Sequence, residues 1–286
     1  MTATAEQLAR EGREVSQIEV SSAGVISLQT LEKELARPGR DGENRIDLVS
    51  VMTGNNETGV IQPVEEVARI CRAAGARFHT DAVQAIGKIE INFASFNVDA
   101  MTIAPHKFHG PRGIGALILK HGVDATPLLH GGVQQYGIRP GTECPALVVG
   151  AETALRLACD GLPQRTKQLR QRRDQLEHLV REAIPDVIVV GEDADRLPQT
   201  SCLAFPMVDR QALLMALDLK GLACSTGSAC ASGSSEPSAV LRAMGLSDHL
   251  VEAAVRFSVG TQTTEEQIST AVRWISTVVN VLRAGR

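Results

Sequence analysis

Between residues 46 and 119 the hydrophobic period of the chain switches repeatedly from strand to helix and back. Ile46–Thr53 reads as an apolar strand, followed by the polar loop Gly54–Gln62. Pro63 suits the first position of a helix, where its missing N–H is not needed. Val64, Val67, Ala68 and Cys71 then fall on one helical face, and Gly75 closes the helix. Arg77–Thr80, Val98–Ala104 and Ile114–Leu119 read as further strands. Strand, helix and strand in this succession form crossover units, and crossovers join parallel strands. The expected fold class is α/β with a largely parallel sheet.

Elsewhere the pattern is less regular. Glu14–Val20 reads as a strand, and Ser27–Ala36 as a short helix stopped by Pro38 and Gly39. Around Thr142 the character changes. Pro145–Cys159 and Gln164–Ala183 read as long helices, separated by Gly161 and Pro163. Asp186–Val190, Ser201–Pro206 and Gly221–Cys224 read as strands, with a helix at Asp209–Lys220. Thr263-Thr264-Glu265-Glu266 reads as a capping box opening a last helix towards Leu282. A boundary near residue 160 is expected, giving a first domain over 1–160 and a smaller C-terminal α/β domain over 161–286.

Composition removes several classes of function. With 43% hydrophobic and 22% charged residues the chain has the make-up of a soluble globular protein, not a disordered one. A net charge of −4 gives no electrostatic basis for binding nucleic acid or an anionic membrane. Aromatics at 3% argue against base-stacking platforms. No run of 18 apolar residues suggests a transmembrane helix, and residues 1–15 hold no signal-type apolar run. Cys71, Cys144, Cys159, Cys202, Cys224 and Cys230 are scattered, with no CxxC pair. Most are therefore expected to be reduced core thiols of a cytoplasmic protein, and no permanent metal site is expected.

Three segments hold residues able to do chemistry. His79-Thr80-Asp81-Ala82-Val83-Gln84 places a carboxylate and a carboxamide just past a strand, at the edge where open α/β sheets bind ligands. The alternative is that Asp81 caps a following helix. Ala104-Pro105-His106-Lys107-Phe108-His109-Gly110 sets a lysine before a Gly-rich turn. Lys107 is either a surface cation or a nucleophilic amine whose pKa is lowered by burial and neighbouring positive charge. The small-residue stretch from Cys224 to Pro237 reads as an exposed loop, so Cys230 is expected to be a reactive thiol, whereas Cys224 ends a strand and reads as core.

Taken together these segments resemble one family. NNETG at 55–59, HTDAVQ at 79–84, APHKFHGPRG at 104–113, RPGTE at 139–143, STGSACASGSSEPS at 225–238 and VRFSVG at 255–260 follow one another in the order found in cysteine desulfurases of the NifS/IscS type. Those enzymes form part of the class V aminotransferase group within the fold-type I pyridoxal-phosphate enzymes. The resemblance implies a large cofactor-binding domain, a smaller C-terminal domain and pyridoxal 5′-phosphate as cofactor. Lys107 matches the lysine that holds the cofactor as a Schiff base and carries protons. Asp81 matches the carboxylate that pairs with the pyridinium nitrogen, Gln84 the ligand of the ring hydroxyl, and His106 a phosphate ligand. Asn56 and Arg256 match the groups that bind the substrate carboxylate; read without the family, Arg256 is a surface ion-pair residue. Thr142 matches a residue that reaches the cofactor phosphate of the other subunit in a homodimer.

Cys230 matches the catalytic cysteine, which takes sulfur from L-cysteine as a persulfide while alanine is released. The long loop around it resembles that of members that hand sulfur to an acceptor such as an iron–sulfur scaffold protein, and Cys230 is a candidate transient iron–sulfur ligand. The resemblance begins partway into the family pattern: members carry roughly a hundred further N-terminal residues, the size of a small domain. That stretch holds a phosphate-binding turn and a ring-stacking histidine. Ala104 also replaces a serine of the phosphate site, which predicts weaker phosphate affinity, and apolar surface is expected to stay exposed. The alternatives are a catalytically impaired or regulatory homologue needing a partner chain, and a selenocysteine lyase or other class V enzyme.

Overall fold

The computed structural model describes residues 2–38, 46–227 and 237–285. In chain order the elements are α1 (Thr2–Arg10), α2 (Leu28–Leu35), β1 (Leu48–Met52), α3 (Val64–Ala73), β2 (Arg77–Asp81), α4 (Phe93–Phe96), β3 (Ala100–Ile103) and β4 (Ala116–Leu119). There follow α5 (Pro145–Cys159), α6 (Leu162–Ala183), β5 (Ile188–Val189), β6 (Thr200–Ala204), α7 (Arg210–Leu219), α8 (Ala239–Ala243), α9 (Asp248–Val251), β7 (Ala254–Ser258) and α10 (Glu265–Ala284). Among the described residues no helix is long and apolar enough to cross a membrane.

The first sheet has the order β1-β2-β3-β4. β1, β2 and β3 run parallel, with Leu48 opposite Arg77 and His79 opposite Ala100, so their C-terminal ends share one edge. β4 returns antiparallel along β3. Alternation along the strands sends Val49, Val51, Phe78, Met101 and Ile103 into one core with α3, whose Val64, Val67, Ala68 and Cys71 are all buried. The opposite face carries Ser50, His79 and Thr102, and there Leu48 and Leu117 stay exposed, as expected of apolar surface in this chain.

The second sheet is antiparallel with the order β5-β6-β7. β6 is buried along its whole length because both of its faces are covered. Leu203 packs with residues of α6, α7 and α10, while Cys202 and Ala204 pack with Leu241, Met244 and Val251.

Several sequence expectations are corrected. Glu14–Val20 is not a strand; only Val20 pairs, in a single bridge to Ile26, because no neighbouring strand extends the ladder. Gly221–Cys224 is not a strand either, and the pairing begins one residue later, at Ser225 opposite Arg256. The strand that completes this sheet is β7, within the quoted VRFSVG. The capping box of α10 is formed by Thr264 with Gln267, one position beyond the expected pair. Pro63 is the residue before α3 instead of its first member.

The halves meet where the loop after β1 rests on the segment before β6. Val60 bridges Arg196, the Ile61 N–H donates to the Asp195 carbonyl at 2.8 Å, and the Leu197 N–H donates to the Gly59 carbonyl at 2.7 Å. Beneath this seam Arg196 donates both Nη atoms to Glu177 at 2.7 and 2.9 Å, and both residues are buried. Burial opposes ionisation of Glu177, yet the hydrogen bonds and charge of Arg196 outweigh it and hold the carboxyl below its ordinary range. A lowered folded-state pKa contributes stability that is present at neutral pH and lost as pH falls through the carboxylate range. Glu177→Ala strands a buried guanidinium and is expected to cost about 3–5 kcal/mol. The check is the chemical-denaturation midpoint at pH 7; a midpoint within error of the parent chain refutes it.

Candidate active site

Asp81 is the last residue of β2, and the strands on either side end beside it. The Thr53 N–H donates to the Asp81 carbonyl at 2.8 Å, and the Ala82 N–H donates to the Thr102 carbonyl at 3.0 Å. Asp81 Oδ1 accepts from the Val83 N–H at 2.9 Å, which turns the chain sharply out of the strand. Residues 83–88 form turns and not a helix, so the carboxylate is not a helix cap. Its Oδ2 has no hydrogen-bond partner among the described residues. Gln84, three residues on, is half-buried.

His79 lies on the same face of β2 as Asp81, two residues earlier. Its Nδ1 meets the Ser50 hydroxyl and its Nε2 the Thr102 hydroxyl, both at 2.8 Å, so one ring spans three strands. Burial lowers its pKa and favours the neutral ring, an effect the charge of Asp81 opposes. His79 thus braces the strands that carry Asp81 and lead to Lys107. No local sequence signal marks this role, since His79 and its hydroxyl partners lie 29 and 23 residues apart.

Lys107 follows β3 in a 3-10 turn, Pro105–Phe108. Pro105 and Phe108 are buried, and α5 packs so closely that a Cβ on Gly110 would come within 3.1 Å of Ala154. With those two side chains turned inward, His106 and Lys107 face outward and are exposed. The described residues leave the Lys107 amine exposed, without the burial that would lower the pKa of a nucleophilic amine. Nor do they hold its Nζ in any hydrogen bond or ion pair.

The loop after β1 brings in the second sheet. Asn55 Oδ1 accepts from the N–H groups of Glu57 at 2.8 Å and Thr58 at 3.0 Å, and Gly59 takes a φ of +81°. This tight turn aims the Asn56 carbonyl at β7, where Arg256 Nη1 donates to it at 2.7 Å. The two proposed substrate ligands, 200 residues apart in sequence, are therefore in direct contact. Arg256 is half-buried and forms no ion pair with any described carboxylate, so the surface ion-pair reading is not met.

Thr142 is exposed and makes no hydrogen bond among the described residues. Around it Leu128, Val133, Tyr136, Val148 and Val149 are exposed as well. Cys230 lies outside the described residues. Cys224 is half-buried against the second core, and burial followed by the charge of Asp218 pushes its thiol up to about 11, in keeping with its reading as core. Cys71 and Cys202 are buried as well, in line with most of the thiols being core, while Cys144 and Cys159 are exposed beside and at the end of α5. Among the described residues no cluster of three or more His, Cys, Asp or Glu is placed to hold a metal ion.

The family model for aminotransferase class-V matches residues 1–270. The cysteine desulfurase of Klebsiella pneumoniae is 40% identical over 282 residues, covering 99% of this chain and 69% of that relative. The chain belongs to the cysteine desulfurase group of the class-V aminotransferase family. Another member, the cysteine desulfurase NifS of Azotobacter vinelandii, is 38% identical over 276 residues, covering 96% of this chain and 67% of its own length. A solved NifS-like protein superposes with a TM-score of 0.87 at 32% identity, over 98% of this chain and 72% of that one. This desulfurase-group chain accordingly has the fold-type I α/β architecture, with a mainly parallel sheet presenting Asp81 and Lys107 at one edge.

Proposed function

We propose that this chain catalyses the desulfuration of L-cysteine with pyridoxal 5′-phosphate as cofactor, moving the sulfur to Cys230 and releasing L-alanine. Two pairings carry the proposal. Asp81 and Lys107 stand at the ends of adjacent strands, each with a polar group uncommitted among the described residues, while a guanidinium without an ion-pair partner among those residues is held against Asn56.

These residues fit the cofactor by the chemistry of their donors. Asp81 Oδ2 is free to accept a proton-bearing ring nitrogen, and the exposed Lys107 amine is free to bond a carbonyl carbon. Gln84 and His106 supply donors for a ring hydroxyl and a phosphate. When bound, the cofactor supplies an electron sink that stabilises negative charge on the substrate carbon. The remaining work falls to the chain. Arg256 and Asn56 orient the substrate through its carboxylate, a group suited to bidentate guanidinium binding. Lys107 moves protons at its Nζ. The Cys230 thiolate attacks the substrate sulfur; a new S–S bond forms, the C–S bond breaks, and its electron pair ends in a C–H bond of alanine. Cysteine plus thiol thus becomes alanine plus persulfide, with no other reactant.

We further infer a homodimer, supported by the exposed apolar side chains on both sides of Thr142, which would carry that residue to the partner's cofactor phosphate. A sulfur-acceptor protein, such as an iron–sulfur scaffold, is the proposed destination of the persulfide, and an excursion of Cys230 as a transient iron–sulfur ligand belongs to that step. The free thiols among the described cysteines support a reducing compartment such as the cytoplasm. We also propose a division into a cofactor-binding part over 1–160 and a part carrying the cysteine loop over 161–286, supported by one sheet in each.

The test is incubation of the purified chain with pyridoxal phosphate and L-cysteine. Alanine should appear with a one-sulfur mass gain on the Cys230 peptide; alanine without that gain would count against the sulfur path. Asp81→Ala should slow alanine release about 10²–10³-fold, the range for loss of one preorganised electrostatic partner. A rate equal to the parent's would remove Asp81 from the proposed site.

A further inference from the structure

The buried stripe of α6 is not wholly apolar. Leu169, Leu176 and Val180 share it with Arg173 and Glu177, which are 7% and 8% exposed. Apolar side chains fill such a stripe at lower cost, since a charge inside a protein must be paired and hydrogen-bonded. Both charged residues are directed at one segment, the one that precedes β6. Glu177 accepts from both Nη atoms of Arg196, itself 8% exposed. Arg173 Nη1 donates to the backbone carbonyls of Arg196 at 3.4 Å and Leu197 at 3.1 Å. Its Nε and Nη2 donate to Asp174 at 2.9 and 2.6 Å.

Residues 195–197 are the platform on which the loop after β1 rests, through Val60 beside Arg196 and the backbone bonds to Gly59 and Ile61. Leu197 also opens the turn into β6, its carbonyl accepting from the Thr200 N–H at 3.4 Å. β6 in turn carries β7, with Cys202 opposite Arg256. The segment therefore places both partners of the 2.7 Å bond from Arg256 Nη1 to the Asn56 carbonyl. Among the described residues the Arg256 side chain makes no other hydrogen bond. One bond thus orients the guanidinium, and its remaining N–H donors are left for a carboxylate. A bidentate pair tolerates little misplacement, because each N–H···O bond weakens steeply as it bends.

We propose that Arg173, Glu177 and Arg196 are positioning residues: they hold residues 195–197 against α6 and so fix the Arg256 guanidinium for the substrate carboxylate. The proposal rests on the reading of Arg256 and Asn56 as ligands of that carboxylate.

The test separates positioning from stability. Replacing a buried ion pair by apolar side chains of similar size often leaves stability unchanged or raises it, whereas removing one partner lowers it. Glu177→Leu combined with Arg196→Met should therefore match or exceed the parental denaturation midpoint. Modification of the half-buried Arg256 by phenylglyoxal, followed by peptide mass without cofactor, should nevertheless quicken roughly tenfold, as expected for loss of one hydrogen bond to a charged group. Arg283, half-buried and held by Asp186 and the Pro206 carbonyl, is the internal reference and should keep its parental rate. Arg173→Met should behave as the double variant does. Arg173→Lys, which retains a donor for the Leu197 carbonyl, should restore most of the protection. With pyridoxal phosphate present, KM for L-cysteine should rise roughly tenfold in the loosened variants while kcat holds, the pattern of lost uniform binding.

Parental modification of Arg256 in the folded double variant and in Arg173→Met overturns the proposal. Equal quickening at Arg283 overturns it too, since that marks general loosening. Should the double variant fail to fold, the comparison of Arg173→Met with Arg173→Lys decides. Quicker modification of Arg256 with an unchanged KM rejects Arg256 as carboxylate ligand and leaves the positioning in place. Absence of turnover in every chain, the parent included, leaves the phenylglyoxal comparison to decide.

Discussion

Lys107→Ala should abolish the yellow absorption that pyridoxal phosphate develops on the parent chain, and should lower alanine release from cysteine by about 10²–10⁴-fold, the range for loss of a positioned proton carrier. The prediction follows from where the lysine stands. The turn Pro105–Phe108 buries its first and last side chains against α5, so the backbone beneath Lys107 is fixed while the amine points out. No described acceptor competes for that amine. Alanine at this position removes the one primary amine of the turn without disturbing Pro105 or Phe108, and the variant should fold normally. A spectrophotometric titration of both chains is the measurement. An identical band in the variant would mean that another amine binds the aldehyde, and the assignment of Lys107 would fall. A folded parent chain without a band would instead place part of the cofactor site on other residues than those described.

Cys230→Ser should leave that band unchanged while persulfide and alanine both drop to background. Serine matches cysteine closely in size, so binding of cofactor and substrate should survive. Its hydroxyl is a far weaker nucleophile than a thiolate at neutral pH, and an attack on sulfur needs the softer atom. Separation of the two effects is what makes the variant informative: cofactor uptake reports on Asp81, Gln84, His106 and Lys107, sulfur transfer on Cys230. Mass analysis of the Cys230 peptide and alanine quantification provide the readings. Turnover at the parental rate would sink the role of Cys230.

Legibility differed from element to element for physical reasons. α3 is legible because its buried face, Val64, Val67, Ala68 and Cys71, repeats with the helix period and one helix suffices to show it. β1 and β2 were read because each is bounded by polar turns. Glu14–Val20 and Gly221–Cys224 fail as strands because a strand is defined by its partner: the first has a single bridge, at Val20, and the second has none, the bridge falling at Ser225. β7 was quoted as a motif but not placed, although it lies beside β6 through five paired positions.

The functional residues divide along the same line. Asp81 and Lys107 were legible since each lies just after a predicted parallel strand, and parallel strands necessarily present their C-terminal ends together. The residue types in their order were enough to indicate cofactor chemistry, because a carboxylate, an amine and a thiol keep their reactivities wherever the chain places them. What tertiary structure alone decided is which groups are committed elsewhere. That Arg256 forms no ion pair with a described carboxylate, and instead reaches Asn56 across 200 residues, follows from docking of the second sheet on the loop after β1. That Glu57 is buried and accepts from the Ser238 hydroxyl instead of standing as a surface charge is likewise a matter of packing. Hydrogen-bond partners and burial are properties of the packed chain, and a one-dimensional pattern carries neither until the two halves have met.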